Sequence, residues 1–522
     1  MYRDIPVYLI GICLGLLIVG ETVFDRVLRE DAYNFVVTGM RIAHGEYRTF
    51  QKQSTGWPLF LGGVFWVTQA ETVFDAMRIA RWTTITLAAL SAIPIALICR
   101  RVLPDRNYAA GCLLVLTGFA SVSLVRYIGK NAMSEPLFLF LVLVSVVFVT
   151  SDGNARRNFV LGSIFAALAY WVRPNGLFIV VALMLVIALK HIQVKTNPLS
   201  DILIVGAVFV GVCTPYWFAR YLEFGSAFSY GPNSKYFVDH YEHVWAENIE
   251  NPSFLSYLAT HGWSDYYHKF VDRGILRIWN HLLRILPKFW FVLAGVSFFL
   301  YLWKGLHTKI GIVHTVILMT ILGMTPVFDI FGTPRHLVYL VPFILIAGVW
   351  TIAYMGSKNW RFANIGLIGL IVITASMLPS IRTIGYEHLG LPVVRDTWAV
   401  WGAHNLHGKI AIVEGHDILR MSQHYEAEGW RVPKNFVDVQ RNLTTWRPGI
   451  YRRLSDALKD FQKQNIRYVI TDQNHIKRRP YLRQITRKKW NHVFHHLGSF
   501  PREDRGAVLD GVNIYRIDYS TM

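Results

Sequence analysis

The sequence predicts an all-α polytopic membrane protein with a C-terminal α/β domain, and three observations support that class. Only 17% of the 522 residues are charged and 53% are hydrophobic, where a soluble globular protein carries roughly 25% charged residues. Apolar runs long enough to cross a bilayer recur along 1–380, each needing about 17–25 residues with its flanks. Beyond them, along 381–522, the pattern changes to short strand-like runs around one amphipathic helix.

Taken in order, the runs fall at 4–20, 77–100, 107–125, 136–151, 157–172, 175–192, 202–221, 285–303, 310–328, 335–355 and 363–380, which gives about eleven transmembrane helices. Only Arg3 precedes the first run, and acidic 21–25 follows it without a small-residue exit. It therefore reads as a retained helix rather than a cleaved signal. The run 57–68 is short and broken by glycine, and is expected at the interface or as a re-entrant segment.

If the N-terminus is cytoplasmic, the inner loops carry Arg100, Arg101 and Arg106; Arg156 and Arg157; Lys190 and Lys195; Lys304 and Lys309; and Lys358 and Arg361. Each short inner loop then holds at least two cations, as the positive-inside rule expects. An odd number of helices places three pieces outside: the first loop, within 21–76, the long loop 222–284, and the tail. In the tail, 409–414 and 467–471 read as buried strands, and Leu454, Ala457, Leu458 and Phe461 share a helical face between them. The order strand, helix, strand suggests a small α/β domain. Asp510-Gly511 between apolar runs is a hairpin signal.

The net charge of +19 fits retained cytoplasmic loops and phosphate-binding surfaces, and no nucleic-acid-binding motif accompanies it. Cys13, Cys99, Cys112 and Cys213 all lie in apolar runs, so they read as small core residues rather than a disulfide framework or metal site. Asp239, His240, Glu242 and His243 cluster in the long outer loop. They make a divalent cation possible there, although alternating His and acid is also common in a solvated loop, and no metal is expected to be essential.

The short outer loops should be poor in cations, yet they hold Arg126 and Lys130, Arg173, and Arg335 with His336. Either these side chains snorkel to the interface, or they share an anion such as a phosphate. In the first loop Glu30-Asp31 precedes an amphipathic stretch in which Tyr33, Val36, Met40 and Ala43 share a face, ended by His44-Gly45. Asp31 is then either a helix N-cap or a general base that takes a proton from, or positions, a nucleophile. Glu135, capped by itself or Ser134 and followed by Pro136, is either an ion-pair partner of Arg126 and Lys130 or a second carboxylate of the same site.

Several pieces occur together: Glu30-Asp31-Ala32-Tyr33, Ala43-His44-Gly45, Thr55-Gly56-Trp57-Pro58-Leu59, Arg126-Tyr127, Ser134-Glu135-Pro136-Leu137-Phe138, Val172-Arg173-Pro174-Asn175-Gly176, and Pro334-Arg335-His336 running into Tyr339-Leu340-Val341-Pro342. In order and spacing, over most of the first 345 residues, they resemble the GT-C superfamily of integral-membrane glycosyltransferases, among them protein-mannosyl-, aminoarabinose- and arabinofuranosyltransferases. The resemblance implies a helical bundle whose first outer loop packs over a lipid-facing cavity, with a polyprenyl-phosphate-linked sugar as donor and a glycan, lipid or protein as acceptor. It implies that Asp31 serves as base or acceptor anchor, with Glu30 and Tyr33 beside it, that Glu135 is the second acid, and that Arg335 holds the carrier phosphate with Lys130, Arg126, His336 or Arg173. The chain has Glu30-Asp31 where many members have Asp-Glu or Asp-Asp, which leaves the choice of base between the two open. The implied location is the bacterial inner membrane.

Three other classes were weighed. A secondary transporter is expected to show paired repeats and ionisable groups at mid-membrane depth, whereas here the charges sit at helix ends. A lipid-linked polysaccharide ligase or polymerase differs in using a diphosphate oligosaccharide donor. A structural scaffold gives no reason for cations placed against the charge rule.

Overall fold

The computed structural model describes residues 5–22, 24, 28, 30–46, 54–152, 154–193, 197–225, 227, 237–238, 243, 254–304, 309–356, 360–376, 408–411, 443–446, 448–471, 476, 479–500 and 512–521. The first part is helical: α1 (Ile5–Gly20), α2 (Glu30–Ala43), α3 (Gly56–Thr68), α4 (Val73–Leu90), α5 (Ala92–Val102), α6 (Tyr108–Ser121), α7 (Ser123–Lys130), α8 (Glu135–Thr150), α9 (Ala155–Val172), α10 (Gly176–Gln193) and α11 (Leu199–Phe224). There follow α12 (Phe254–Tyr267), α13 (Arg273–Ile285), α14 (Lys288–Lys304), α15 (Ile310–Phe331), a 3-10 turn (Pro334–Leu340), α16 (Val341–Met355) and α17 (Trp360–Ser376).

Among the described residues, Asp75–Val102, Leu199–Glu223 and Pro334–Met355 are each long and apolar enough to cross a membrane, and two sharply bent helix pairs bring the number to five. Shorter apolar helices lie beside them, including Glu135–Thr150, Gly176–Ile192 and Ile310–Pro326. The outside of the bundle is apolar as well: Leu16, Val67, Val292, Phe299 and Trp303 are exposed, a surface suited to lipid rather than water.

The structure departs from the predicted elements where backbone hydrogen bonding is interrupted. The run 77–100 divides at Ser91, because Pro94 has no N–H to continue the ladder, while Ser91 N still bonds the Leu87 carbonyl. The run 107–125 divides at Val122, and α6 and α7 meet at 61°. The carbonyls of Ala120 and Ser121, left open at the end of α6, accept from Arg126 Nη1 at 3.0 and 3.1 Å. The long outer loop holds α12 and α13, which the sequence reading left as loop. In α13, Gly274, Ile278 and Leu282 form one buried face at four-residue spacing.

Cations assigned to the inner loops meet partners at the same set of helix ends. Lys309 lies 2.6 Å from Asp152, Arg156 and His191 each lie 3.0 Å from Asp201, and Arg101 donates to the Val147 carbonyl. At the other set of helix ends, α2 and α3 cross through reciprocal small residues. A Cβ on Gly39 would meet Phe65 at 2.9 Å, and one on Gly62 would meet Ile42 at 2.7 Å. Such close approach is how helices associate where no hydrophobic driving force separates them from lipid. Gly56, the first residue of α3, abuts the backbone of α9, where a Cβ would stand 2.6 Å from the Trp171 carbonyl oxygen.

The C-terminal part holds β1 (Gly408–Ala411), β2 (Leu443–Trp446), α18 (Leu454–Lys463), β3 (Ile466–Thr471), β4 (Phe494–Phe500) and β5 (Val512–Ile517). They form one sheet in the order β2-β1-β3-β5-β4. β1 is parallel to β2 and β3, and β5 is antiparallel to β3 and β4. The predicted strand, helix, strand unit is present as β1, α18 and β3, and Leu454, Ala457, Leu458 and Phe461 are fully buried. Asp510 and Gly511 lie outside the described residues, and β5 runs between β3 and β4 in the sheet. β2 (LTTW) and β4 (FHHLGSF) were not foreseen, since neither shows a clean apolar alternation.

Replacing Gly56 by Ala is expected to destabilise the bundle by about 1–3 kcal/mol, because two backbones must separate. Gly63→Ala, which meets nothing within 4 Å, serves as control. Thermal unfolding in detergent measures both, and equal melting points would mean that α3 and α9 are not rigidly docked.

Candidate active site

The chain turns of the bundle bring together four charged side chains from four separate segments. Asp31 stands in the first turn of α2, one residue inside the helix rather than at its N-cap. Its Oδ2 lies 2.5 Å from Arg335 Nη2. Arg335 comes from the 3-10 turn that leads into α16, and Pro334 starts that turn where a missing N–H does no harm. Arg335 Nε is 3.6 Å from Glu135 Oε1. The same oxygen is 2.6 Å from Nη1 of Arg173, which ends α9, and that nitrogen also donates to Ser134 Oγ at 3.2 Å.

Ser134 occupies the N-cap position of α8 without a side-chain capping bond. Its hydroxyl is engaged by Arg173, and Glu135 therefore begins the helix, where the dipole favours an anion. Exposure divides the quartet. The Glu135 side chain is 3% exposed and Arg173 16%, whereas Arg335 and Asp31 are 28% and 33% exposed. Two carboxylates balance two guanidiniums, with a buried half that fixes geometry and a water-facing half that can meet a ligand.

Trp57 was quoted in the sequence pattern without a role. It is fully buried, and its Nε1 donates to the Ala132 carbonyl at 3.1 Å. Ala132 has φ of +52°, an uncommon backbone for a residue with a Cβ, and the turn that it makes presents Ser134 and Glu135. Trp57 thus links α3 to the loop before α8. The identity of this bond was not readable from sequence, because a tryptophan after Gly56 looks like interfacial anchoring.

Arg126 and Lys130 are joined to Glu21 at the end of α1. Arg126 Nε donates to Glu21 Oε1 at 2.8 Å, and Lys130 Nζ lies 3.8 Å from Oε2. Arg126 is 2% exposed, so its guanidinium serves Glu21 and the end of α6. His336 follows Arg335 in the same turn and is half-buried. Tyr33 is fully buried in the helical core with Val36 and Met40. Glu30 opens α2, and its side chain lies outside the described part. Asp239, His240 and Glu242 also lie outside it. Among the described residues no group of three metal-ligating side chains occurs.

Breaking a buried ion pair from one side strands the other charge and costs roughly 3–5 kcal/mol, against about 1 kcal/mol or less for an exposed pair. Glu135→Gln is therefore expected to lower the unfolding midpoint clearly more than Asp31→Asn does. Equal midpoints in a detergent melt would contradict the division into buried and open halves.

No family model and no curated protein sequence matches the chain. Solved structures do. The oligosaccharyltransferase AglB from Archaeoglobus fulgidus, in complex with an inhibitory peptide and a dolichol-phosphate, aligns with a TM-score of 0.55 at 11% identity, over 90% of this chain and 70% of that one. ArnT from Cupriavidus metallidurans bound to undecaprenyl phosphate aligns at 0.52 and 11% identity over 98% of both chains. The mycobacterial arabinofuranosyltransferase AftD aligns at 0.54 and 12% identity, over 99% of this chain and 40% of that one. The chain therefore has the GT-C fold of membrane glycosyltransferases, as the order of its loop motifs implied.

Proposed function

We propose that this protein transfers a sugar from a polyprenyl-phosphate carrier to an extracytoplasmic glycan, lipid or protein acceptor, with inversion at the anomeric carbon. The observation that carries the reading is the contact of Asp31 with Arg335 across 304 residues of sequence, in a fold shared with structures that hold dolichol-phosphate and undecaprenyl phosphate. The acceptor oxygen or nitrogen attacks C1 of the sugar and its proton passes to Asp31. The bond from C1 to the phosphate oxygen breaks, and its electron pair stays on the carrier phosphate. Arg335 stabilises that leaving dianion, backed by Arg173 through their shared Glu135. One such donor group contributes on the order of 3–4 kcal/mol to the barrier. A phosphate is already a fair leaving group, so no strong acid is required.

In this reading about eleven helices span the bacterial inner membrane. The N-terminus is cytoplasmic, 1–380 forms the catalytic module, and 381–522 forms an extracytoplasmic domain. The grouping of inner-loop cations with inner-loop partners supports that orientation. A ligase or polymerase acting on a diphosphate oligosaccharide is the second reading, favoured by the similarity to an oligosaccharyltransferase.

Asp31→Asn and Arg335→Ala are each expected to reduce transfer by about a hundredfold or more while the protein remains folded. Mass spectrometry of envelope glycans and polyprenyl-phosphate sugars, with and without the gene, identifies the donor by accumulation of one carrier sugar. Accumulation of a diphosphate oligosaccharide instead would favour the second reading, and near-normal turnover in either variant would overturn the assignment. Because Arg335 is the group assigned to the leaving phosphate in this reading, a chelator is expected to leave the rate unchanged, and loss of transfer on chelation would establish a metal requirement.

A further inference from the structure

Arg335 meets two carboxylates, one at Nη2 and one at Nε, and the two partners are not equivalent. Toward Glu135 the separation is 3.6 Å, and Glu135 is at the same time held by Arg173 at 2.6 Å with 3% exposure. Displacing it would strand a second guanidinium in a buried place. Toward Asp31 the separation is 2.5 Å, but Asp31 is 33% exposed and sits on the first turn of α2. The N-terminal end of a helix stabilises a carboxylate that has lost its cation. One of the two contacts is therefore built to persist and the other to exchange.

We propose that the carrier phosphate and Asp31 compete for the Nη2 edge of Arg335, so that donor binding releases the Asp31 carboxylate for the acceptor. The inference rests on the reading under Proposed function and adds an order to it. An acceptor that arrives first finds Asp31 Oδ2 already engaged by the guanidinium. After the phosphate has taken that nitrogen, Oδ2 is open to the acceptor hydroxyl or amine, and Arg335 exchanges one anionic partner for another.

The experiment measures binding of undecaprenyl monophosphate to the full-length protein in nanodiscs, with undecaprenol and inorganic phosphate as separate arms. Asp31→Asn removes the competing charge and is expected to tighten undecaprenyl monophosphate binding by about threefold or more, although the same variant loses transfer. Asp31→Ala, which leaves no amide to hydrogen-bond Arg335, is the second variant and is expected to move affinity the same way. Arg335→Ala is expected to weaken binding toward that of undecaprenol. Unchanged or weaker binding in both Asp31 variants, with binding intact in the wild type, would overturn the exchange and leave the functional reading standing. Wild-type binding no tighter than that of undecaprenol would overturn the reading itself.

Discussion

A carboxylate almost closed to water, held between two arginines, is the constraint on which the rest of the site depends. An ionised Glu135 in that position depends on Arg173 and Arg335, since an uncompensated buried charge is strongly destabilising. The end of α9, the start of α8 and the turn before α16 must therefore converge. Once they do, Arg335 projects one edge toward α2, and Asp31 is the group waiting there. The open half of the quartet is positioned by its closed half.

The surrounding backbone serves the same convergence. Glycines bring α2, α3 and α9 within backbone contact, and Trp57 fastens α3 to the loop before α8. Arg126 closes the end of α6 and turns α7 away at a steep angle. None of these groups needs to touch a substrate to matter, because each limits how far one corner of the quartet can move relative to another.

Much of this was legible in the residues. Apolar runs announce the bundle, and the helical face of Leu454, Ala457, Leu458 and Phe461 announces the small domain. Cations placed against the charge rule draw attention to Arg173 and Arg335, and the pairing with Asp31 and Glu135 follows once the fold is known. What sequence could not resolve is how the five outer cations divide. Arg126, Lys130, Arg173, Arg335 and His336 look alike as residue types at helix ends, and only the three-dimensional arrangement separates Glu21's partners from those of Glu135. The helix break at Val122 was hidden because apolar composition continues straight through it, whereas Pro94 marks the one at Ser91. α13 does carry a readable signal in the four-residue spacing of Gly274, Ile278 and Leu282, whereas α12, interrupted at Gly262, shows no such regular face.

The spacing of the quartet along the chain also bears on how the protein is made. Ser134 and Arg173 are 39 residues apart, so the inner half can assemble as soon as two adjacent helices have left the ribosome and entered the bilayer. Asp31 and Arg335 are separated by 304, and nearly two-thirds of the polypeptide must be synthesised before they meet. Throughout that interval the quartet holds two carboxylates and one guanidinium. A chain that stops short of Arg335 keeps that imbalance, so the quartet is electrically complete only once the turn before α16 has been added.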